Sequence, residues 1–311
     1  MPTDAAIWVV TPVFLDVASF RILRERVLTN LAALGFARVQ FLVIDDTGGV
    51  DPEITGLSDL SDTRVMTPPF NLGHQRALVY GLRSLAKELA DEDFVVTLDA
   101  DGQDRPEDLP RLLAPLLEAT GNTRRAALAW RTKREETLLF KALYLGFKLL
   151  FWLLTGVSIK TGNFAAYRGW LARNVLFHPH FDTCYSSSLI SLNVAVELVP
   201  CERGTRYAGV SRMSFLKLVM HGLRMMMPFT DRLAVRALIG FLLLFAVGLF
   251  GSAALLGVRL FTSIAIPEWS TWALLVILGL SVLSLGNFVV LFIVFSQSQG
   301  QSFRGLAERR P

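Results

Sequence analysis

The chain has 311 residues, 52% of them hydrophobic and only 19% charged, with a formal net charge of +4. That balance excludes an ordinary water-soluble protein. The charge is mild and its basic residues gather beside the apolar runs, so anionic lipid, not nucleic acid, is the expected partner.

The N-terminal "MPTDAAIWVVTPVF" lacks a basic leader and its apolar stretch is short, so no signal peptide is expected and the first 200 or so residues are placed in the cytosol. "AAIWVVTPV" reads as a strand, and "SFRILRERVLTNLAALG" as a helix with Ser19 as N-cap and Gly35 as its stop. "VQFLVIDD" is a second strand, "TRVMTPP" a third, and "GHQRALVYGLRSLAKELA" a helix. "VVTLDADGQD" opens as a strand and ends in carboxylates. "RPEDLPRLLAPLLEAT" follows as a helix with Pro106 in its first turn, and "RAALAWR" closes the series as a strand. Apolar strands alternating with helices predict a parallel sheet covered on both faces, with ligands bound beyond the carboxyl ends of its strands.

Two of those strands end in paired acids, so Asp45, Asp46, Asp99 and Asp101 are expected on one rim. Like charges that close raise one another's pKa unless a cation or donor intervenes, so something positive is expected there. Asp99, Asp101 and Gln103 form a D-x-D-x-Q pattern whose alternation on an extended segment would turn its oxygens to one side. Such hard ligands suit a divalent ion that keeps some waters and takes its other ligands from substrate phosphates. An EF-hand does not fit, because Gly102 precedes the third acid. His74 reads as a packed or capping histidine, and "HPH" at 178 to 180 as surface loop, since Pro179 splays the two rings. Cys184 and Cys201 read as small packed residues in a reducing compartment.

Further on, "TLLFKALYLGFKLLFWLLTG" carries Lys141 and Lys148 on one helical face. Lysines near the middle make spanning costly, so a helix lying in the membrane interface is expected at about 136–155. "SRMSFLKLVMHGLRMMMPF" has the same character, within a basic loop and juxtamembrane segment at 201–233. Uncharged runs then predict two transmembrane helices, about 235–259 and 271–296, within 234–311. Their link carries one Arg and one Glu, whereas Arg203, Arg206, Arg212, Lys217, Arg224, Arg232 and Arg236 precede the first span and Arg304, Arg309 and Arg310 follow the second. By the positive-inside bias both ends face the cytoplasm.

"VVTPVFLD", "VIDDTGG", "NLGHQRAL", "LDADGQDRPEDL", "TGNFAAYR" and "RYAGVSRMSF" occur in an order that resembles family 2 glycosyltransferases of the polyprenol-phosphate type, similar to dolichol-phosphate mannose synthases and bacterial bactoprenol glucosyltransferases. The resemblance covers nearly the whole chain. It implies an α/β GT-A (Rossmann-like) nucleotide-sugar-binding domain over 1–200, followed by the membrane elements.

In that family Pro12, Phe14 and Asp16 match the residues that cup the nucleoside, Asp45 and Asp46 those that hold base and ribose, and Asp99, Ala100, Asp101 and Gln103 the metal and diphosphate motif. The metal would be Mg²⁺ or Mn²⁺. Arg131 and Lys141 lie where the family places cations for the acceptor phosphate, with Arg134 a nearby candidate; Arg206, Ser211 and Arg212 match the basic loop over the active site. The chain departs from the pattern in "DDTGG" and in Asn163, where many members carry Asp. The implied reaction moves a sugar from a UDP- or GDP-sugar to a polyprenyl phosphate, undecaprenyl phosphate in a bacterial inner membrane, with inversion. A non-catalytic membrane scaffold and a processive polysaccharide synthase are the rival readings, and a homo-oligomer is compatible with the sequence.

Overall fold

The computed structural model describes residues 5–118, 124–131, 138–192, 194–208, 215–263 and 268–307. The chain divides into two compact units, Met1–Phe147 with Ile159–Pro228, and Lys148–Ser158 with Phe229–Pro311.

The first unit is built on a seven-stranded sheet. In chain order its elements are β1 (Ile7–Val13), α1 (Val17–Ala32), β2 (Val39–Asp45), β3 (Thr63–Met66), α2 (His74–Leu85), β4 (Phe94–Thr97), α3 (Leu109–Glu118) and β5 (Arg125–Arg131). Then come α4 (Leu138–Thr155), whose residues from Lys148 on belong to the second unit, and β6 (Thr161–Arg168), α5 (Gly169–Asn174), α6 (Tyr185–Ser191), β7 (Ala195–Cys201) and α7 (Phe215–Met226).

The strands are ordered β3-β2-β1-β4-β6-β5-β7. Near-continuous apolar sequence lets each central strand feed two cores. Phe41 and Val43 of β2 pack with Phe20, Leu23 and Val27 of α1 and Leu112 and Leu113 of α3. Leu42 and Ile44 point the other way, to Leu78 and Leu82 of α2 and Tyr185 of α6. Every one of these side chains is fully buried, as expected of strands covered on both faces.

The expected all-parallel sheet is corrected in one half. β1, β2, β3 and β4 are parallel, but β6 runs antiparallel to both β4 and β5, and β5 pairs parallel with β7. The closing strand "RAALAWR" therefore does not neighbour β4. Helix α1 also starts earlier than read: Asp16 holds the N-cap position and Ser19 is buried inside the first turn.

The chain winds outward from β1 through β2 to β3, then returns to place β4 on β1's other side. That reversal is a topological switch point, where the loops leaving adjacent strands part and open a crevice. Asp45 ends β2 level with Val13 at the end of β1, and Asp99 follows β4 by two residues.

In the second unit α8 (Thr230–Phe261) and α9 (Glu268–Ala307) are long and apolar enough to cross a membrane. At 1.5 Å rise per residue each exceeds the roughly 30 Å of a hydrocarbon core. Gly248 and Gly251 face side chains of α9, since a Cβ on them would stand 3.1 Å from Leu278 and 2.9 Å from Leu274. At the other end of α8 the Arg236 guanidinium donates to the carbonyls of Trp152, at 2.9 Å, and Leu153, in the last turn of α4. Trp152 O also accepts the Gly156 amide at 2.7 Å where the helix ends, and a cation at that end complements the helix dipole.

Candidate active site

The acids predicted to share a rim do gather at the switch point, but the two pairs have different surroundings. Asp45 is fully buried and accepts from the Thr47 amide at 3.1 Å, the Thr47 hydroxyl at 2.5 Å, the Gly49 amide at 3.2 Å and the Thr67 hydroxyl at 3.3 Å. Those bonds shape the turn after β2. Asp46 accepts from the Leu72 amide at 2.7 Å and from the Asn71 side chain at 3.4 Å. Burial pushes its carboxyl above the ordinary range, against the pull of those donors and of His74.

Asp99 and Asp101 sit in a turn, because β4 ends at Thr97. The extended alternation read for D-x-D-x-Q is corrected accordingly. Asp99 Oδ1 lies 2.7 Å from His74 Nε2 and 3.3 Å from the Asn163 side-chain amide. Asp101 Oδ2 lies 3.0 Å from an Arg206 guanidinium nitrogen, and its Oδ1 accepts from the Gln103 amide at 3.0 Å. Asp104 is buried and accepts the Asp99 backbone amide at 3.1 Å. Gln103 does not turn its side chain to the two acids: its Oε1 accepts from Arg203 at 2.8 Å.

The positive partner expected at the rim is thus His74 together with Arg206. His74 opens α2 behind Gly73, whose φ of +78° turns the chain into the helix. The ring is 39% exposed, yet Nε2 itself is shielded where it meets Asp99. Burial alone would lower the imidazole's pKa, but Asp99, with Asp104 and Asp101 beyond it, outweighs burial and holds it above the ordinary value. His74 is therefore an ion-pair partner of the acids, a contact absent from the packed or capping reading.

Arg206 comes from the segment after β7, which folds back across the acidic turn. Asp104 and Arg203 pair as an antiparallel bridge, Gly204 donates its amide to Gln103 O at 3.0 Å, and Tyr207 donates its amide to Asp101 O at 2.9 Å. The approach is so close that a Cβ on Gly204 would stand 2.2 Å from Gly102 O. Gly102, at φ +85°, packs under the Tyr207 ring, and Arg26 lies over that ring, 5.3 Å from its centroid.

Among the described residues no three His, Cys, Asp or Glu side chains cluster to hold a metal ion by themselves, so a divalent cation here would take ligands from a bound diphosphate besides these two acids. Burial, with the neighbouring Asp99, pushes the Asp101 carboxyl above the ordinary range even with Arg206 beside it. Asp99 and Asp101 supply hard oxygens, whereas the Gln103 oxygen is directed to Arg203.

Of the remaining expected site residues, Pro12 is buried in β1 opposite Ile44, Phe14 is 44% exposed just beyond that strand, and Asp16 is half-buried. Ala100 packs its side chain into the core under α1 and α3, so it offers the site only backbone. Arg131 closes β5 opposite Cys201, and Lys141 lies in α4; their side chains, with all of Arg134, Ser211 and Arg212, lie outside the described residues. The two histidines of "HPH" form no ligand pair: His178 Nε2 meets Ser191 Oγ at 2.9 Å and its Nδ1 accepts the His180 amide at 3.2 Å. Burial lowers the His178 pKa to about 4. Cys184 and Cys201 are buried free thiols, as read.

Sequence reasoning gave no role to Gln75, Asp104 or Tyr207. Asn163 had been visible only as a departure from a family pattern. It reaches Asp99 because β6 runs against β4, pairing Ala165 with Thr97 and bringing the start of β6 to the end of β4.

The reversing mixed α/β sheet, with a carboxylate pair beyond its switch point, is of GT-A type. Residues 9–175, more than half of the chain, match the family described as Glycosyl transferase family 2, and the chain belongs to that family. Among curated proteins no match was found. Among solved structures the chain is similar to glucosyl-3-phosphoglycerate synthase from Mycobacterium tuberculosis in complex with Mn²⁺, UDP-glucose and phosphoglyceric acid, at 19% identity over 74% of this chain and 80% of that one, with a TM-score of 0.50. The same enzyme with Mn²⁺, UDP and phosphoglyceric acid matches at 19% identity over 74% and 79%, also with a TM-score of 0.50. At such identity the likeness is one of fold.

Proposed function

We propose that this family 2 glycosyltransferase transfers a sugar from a UDP- or GDP-sugar to a polyprenyl phosphate, undecaprenyl phosphate in a bacterial inner membrane, at the cytoplasmic face. The observation that supports the donor half is the carboxylate pair of Asp99 and Asp101 in the segment that leaves β4, with Arg206 3.0 Å from Asp101. The acceptor half is supported by the long apolar helices in the same polypeptide and by the exposed Leu145, Leu149, Trp152 and Leu153 of α4, which suit a substrate that stays in the bilayer.

In this reading residues 1–200 form the cytosolic catalytic domain, 201–233 the basic loop and juxtamembrane helix, and 234–311 the membrane anchor. Asp99 and Asp101 hold Mg²⁺ or Mn²⁺, which when bound supplies positive charge to the departing diphosphate. Phe14 and Asp16 line the nucleoside, with Asp46 behind them. Arg206 exchanges its carboxylate partner for the diphosphate, and Arg212 joins it. Arg131, Lys141 and Arg134, with Ser211, orient the acceptor phosphate. A phosphate monoester loses its second proton near pH ~6, so the attacking oxygen arrives ionised and the chain's task is to align it with the anomeric carbon. Direct displacement inverts that centre.

The test is to incubate the full chain in detergent with undecaprenyl phosphate, a panel of labelled UDP- and GDP-sugars, and Mg²⁺ or Mn²⁺. Label extracted with the lipid supports the proposal. Label found instead on phosphoglyceric acid, supplied in a parallel arm, replaces the acceptor. No transfer to either acceptor moves the reading to a scaffold that keeps the fold.

A further inference from the structure

Behind Asp99 lies a relay of side-chain amides whose direction is fixed from outside the site. The Ser186 backbone amide, in the first turn of α6, donates to Gln75 Oε1 at 3.1 Å, and the buried Cys184 thiol approaches the same oxygen at 3.6 Å. A backbone N–H can only donate, so Gln75 must present its oxygen to α6. Its Nε2 then faces Asn163 and donates to Asn163 Oδ1. With Oδ1 so engaged, Asn163 must present Nδ2 to Asp99 Oδ1, 3.3 Å away. An amide's two ends are otherwise interchangeable in position, and here one backbone donor decides both.

We infer that Gln75 and Asn163 are positioning residues that hold the Asp99 carboxylate in the orientation its metal-binding role requires, with α6 as the anchor. This rests on the reading that Asp99 holds the divalent ion. His74 and Asn163 converge on one oxygen of Asp99, from α2 and β6, and so fix the plane of its carboxylate from two directions. Partners of this kind orient a ligand and tune its basicity, and losing one typically costs 10- to 100-fold in metal affinity. The relay also accounts for Asn at position 163: aspartate there would have no hydrogen to donate to Asp99 and would add a like charge beside it.

The test uses the full chain in detergent and Mn²⁺ with UDP as the probe, read by electron paramagnetic resonance and calorimetry, with melting curves of the metal-free protein alongside. Asn163→Leu removes the donor to Asp99, and Gln75→Met removes the group that orients Asn163 without itself touching Asp99. Each should weaken Mn²⁺ about 10-fold, and the double variant no more than about 20-fold, because both act through one contact. The apparent KM for Mn²⁺ should rise more than kcat falls. A Gln75→Met protein that melts like wild type and binds Mn²⁺ within twofold of it overturns the inference. Wild-type protein that binds no Mn²⁺ with UDP overturns the metal reading itself, and the two failures are distinct.

Discussion

Replacing Thr97 by valine tests how the fold holds the site from behind. Thr97 Oγ1 lies 2.6 Å from Asn163 O and 2.6 Å from the Tyr185 hydroxyl, which lies 3.1 Å from the Tyr167 hydroxyl. All three side chains are fully buried. The Asn163 carbonyl can only accept, so Thr97 donates to it, Tyr185 donates to Thr97, and Tyr167 donates to Tyr185. Thr97→Val keeps the β-branched shape that suits β4 but strands the Tyr185 hydroxyl proton and takes a partner from the Asn163 carbonyl. A buried polar group left unpaired costs about 1–3 kcal/mol. The carbonyl keeps a second lone pair, so the loss should be about 2–3 kcal/mol. For a domain of this size that lowers the melting temperature by about 5–10 °C. Tyr185→Phe strands Tyr167 instead, and the double variant should lose less than the two single losses together, because the single changes break a shared bond. Melting of the full chain in detergent, followed by near-ultraviolet circular dichroism, measures all three. A Thr97→Val protein melting within 1 °C of wild type, or strict additivity, refutes the donor accounting.

Other consequences are as direct. Gly204→Ala puts a methyl group into Gly102 O, so the 203–207 segment must lift from the acidic turn; UDP affinity should drop at least 10-fold, and unchanged binding would show that the segment is not needed. Asp101 takes up its proton above the unfolded value of about 3.9, so its contribution to stability is present below that value and is lost as pH rises through the folded one. Asp101→Asn should therefore melt higher than wild type at pH 7 without metal, the gap closing toward pH 4, and it should lose Mn²⁺ binding. A wild type that melts higher than the variant in metal-free buffer at pH 7 would contradict this. Gly248→Leu should loosen the α8–α9 hairpin where a Cβ already meets Leu278 at 3.1 Å, read as faster protease cleavage in the link between the two helices; an unchanged rate would count against close packing there.

The parallel half of the sheet was legible because each of β1, β2 and β4 is apolar along its length and ends at acids or a turn. The reversal of β6 was not. "TGNFAAYR" carries no mark of direction, and only its pairing with β4 makes Asn163 a neighbour of Asp99. Acids at strand ends announced the rim, but their partners are set by tertiary approach: His74 by the entry angle of α2, Arg206 by a segment that folds back over a hundred residues later in the chain. Gln103 shows the limit of a motif, since its spacing suits a ligand while its oxygen serves Arg203. The long apolar helices were readable from composition alone, and α8 and α9 extend beyond the uncharged stretches because flanking polar residues continue a helix readily.

The bond between Arg236 and the end of α4 bears on any attempt to prepare a water-soluble fragment. Cutting the chain just before α8 would discard the guanidinium that donates to Trp152 O and Leu153 O. The last turn would then keep only its Gly156–Trp152 bond, and its already exposed tryptophan and leucines would sit on a less firmly held sticky end. A cut placed a few residues beyond Arg236 keeps that clasp, and with it the better chance of a fragment that stays dispersed.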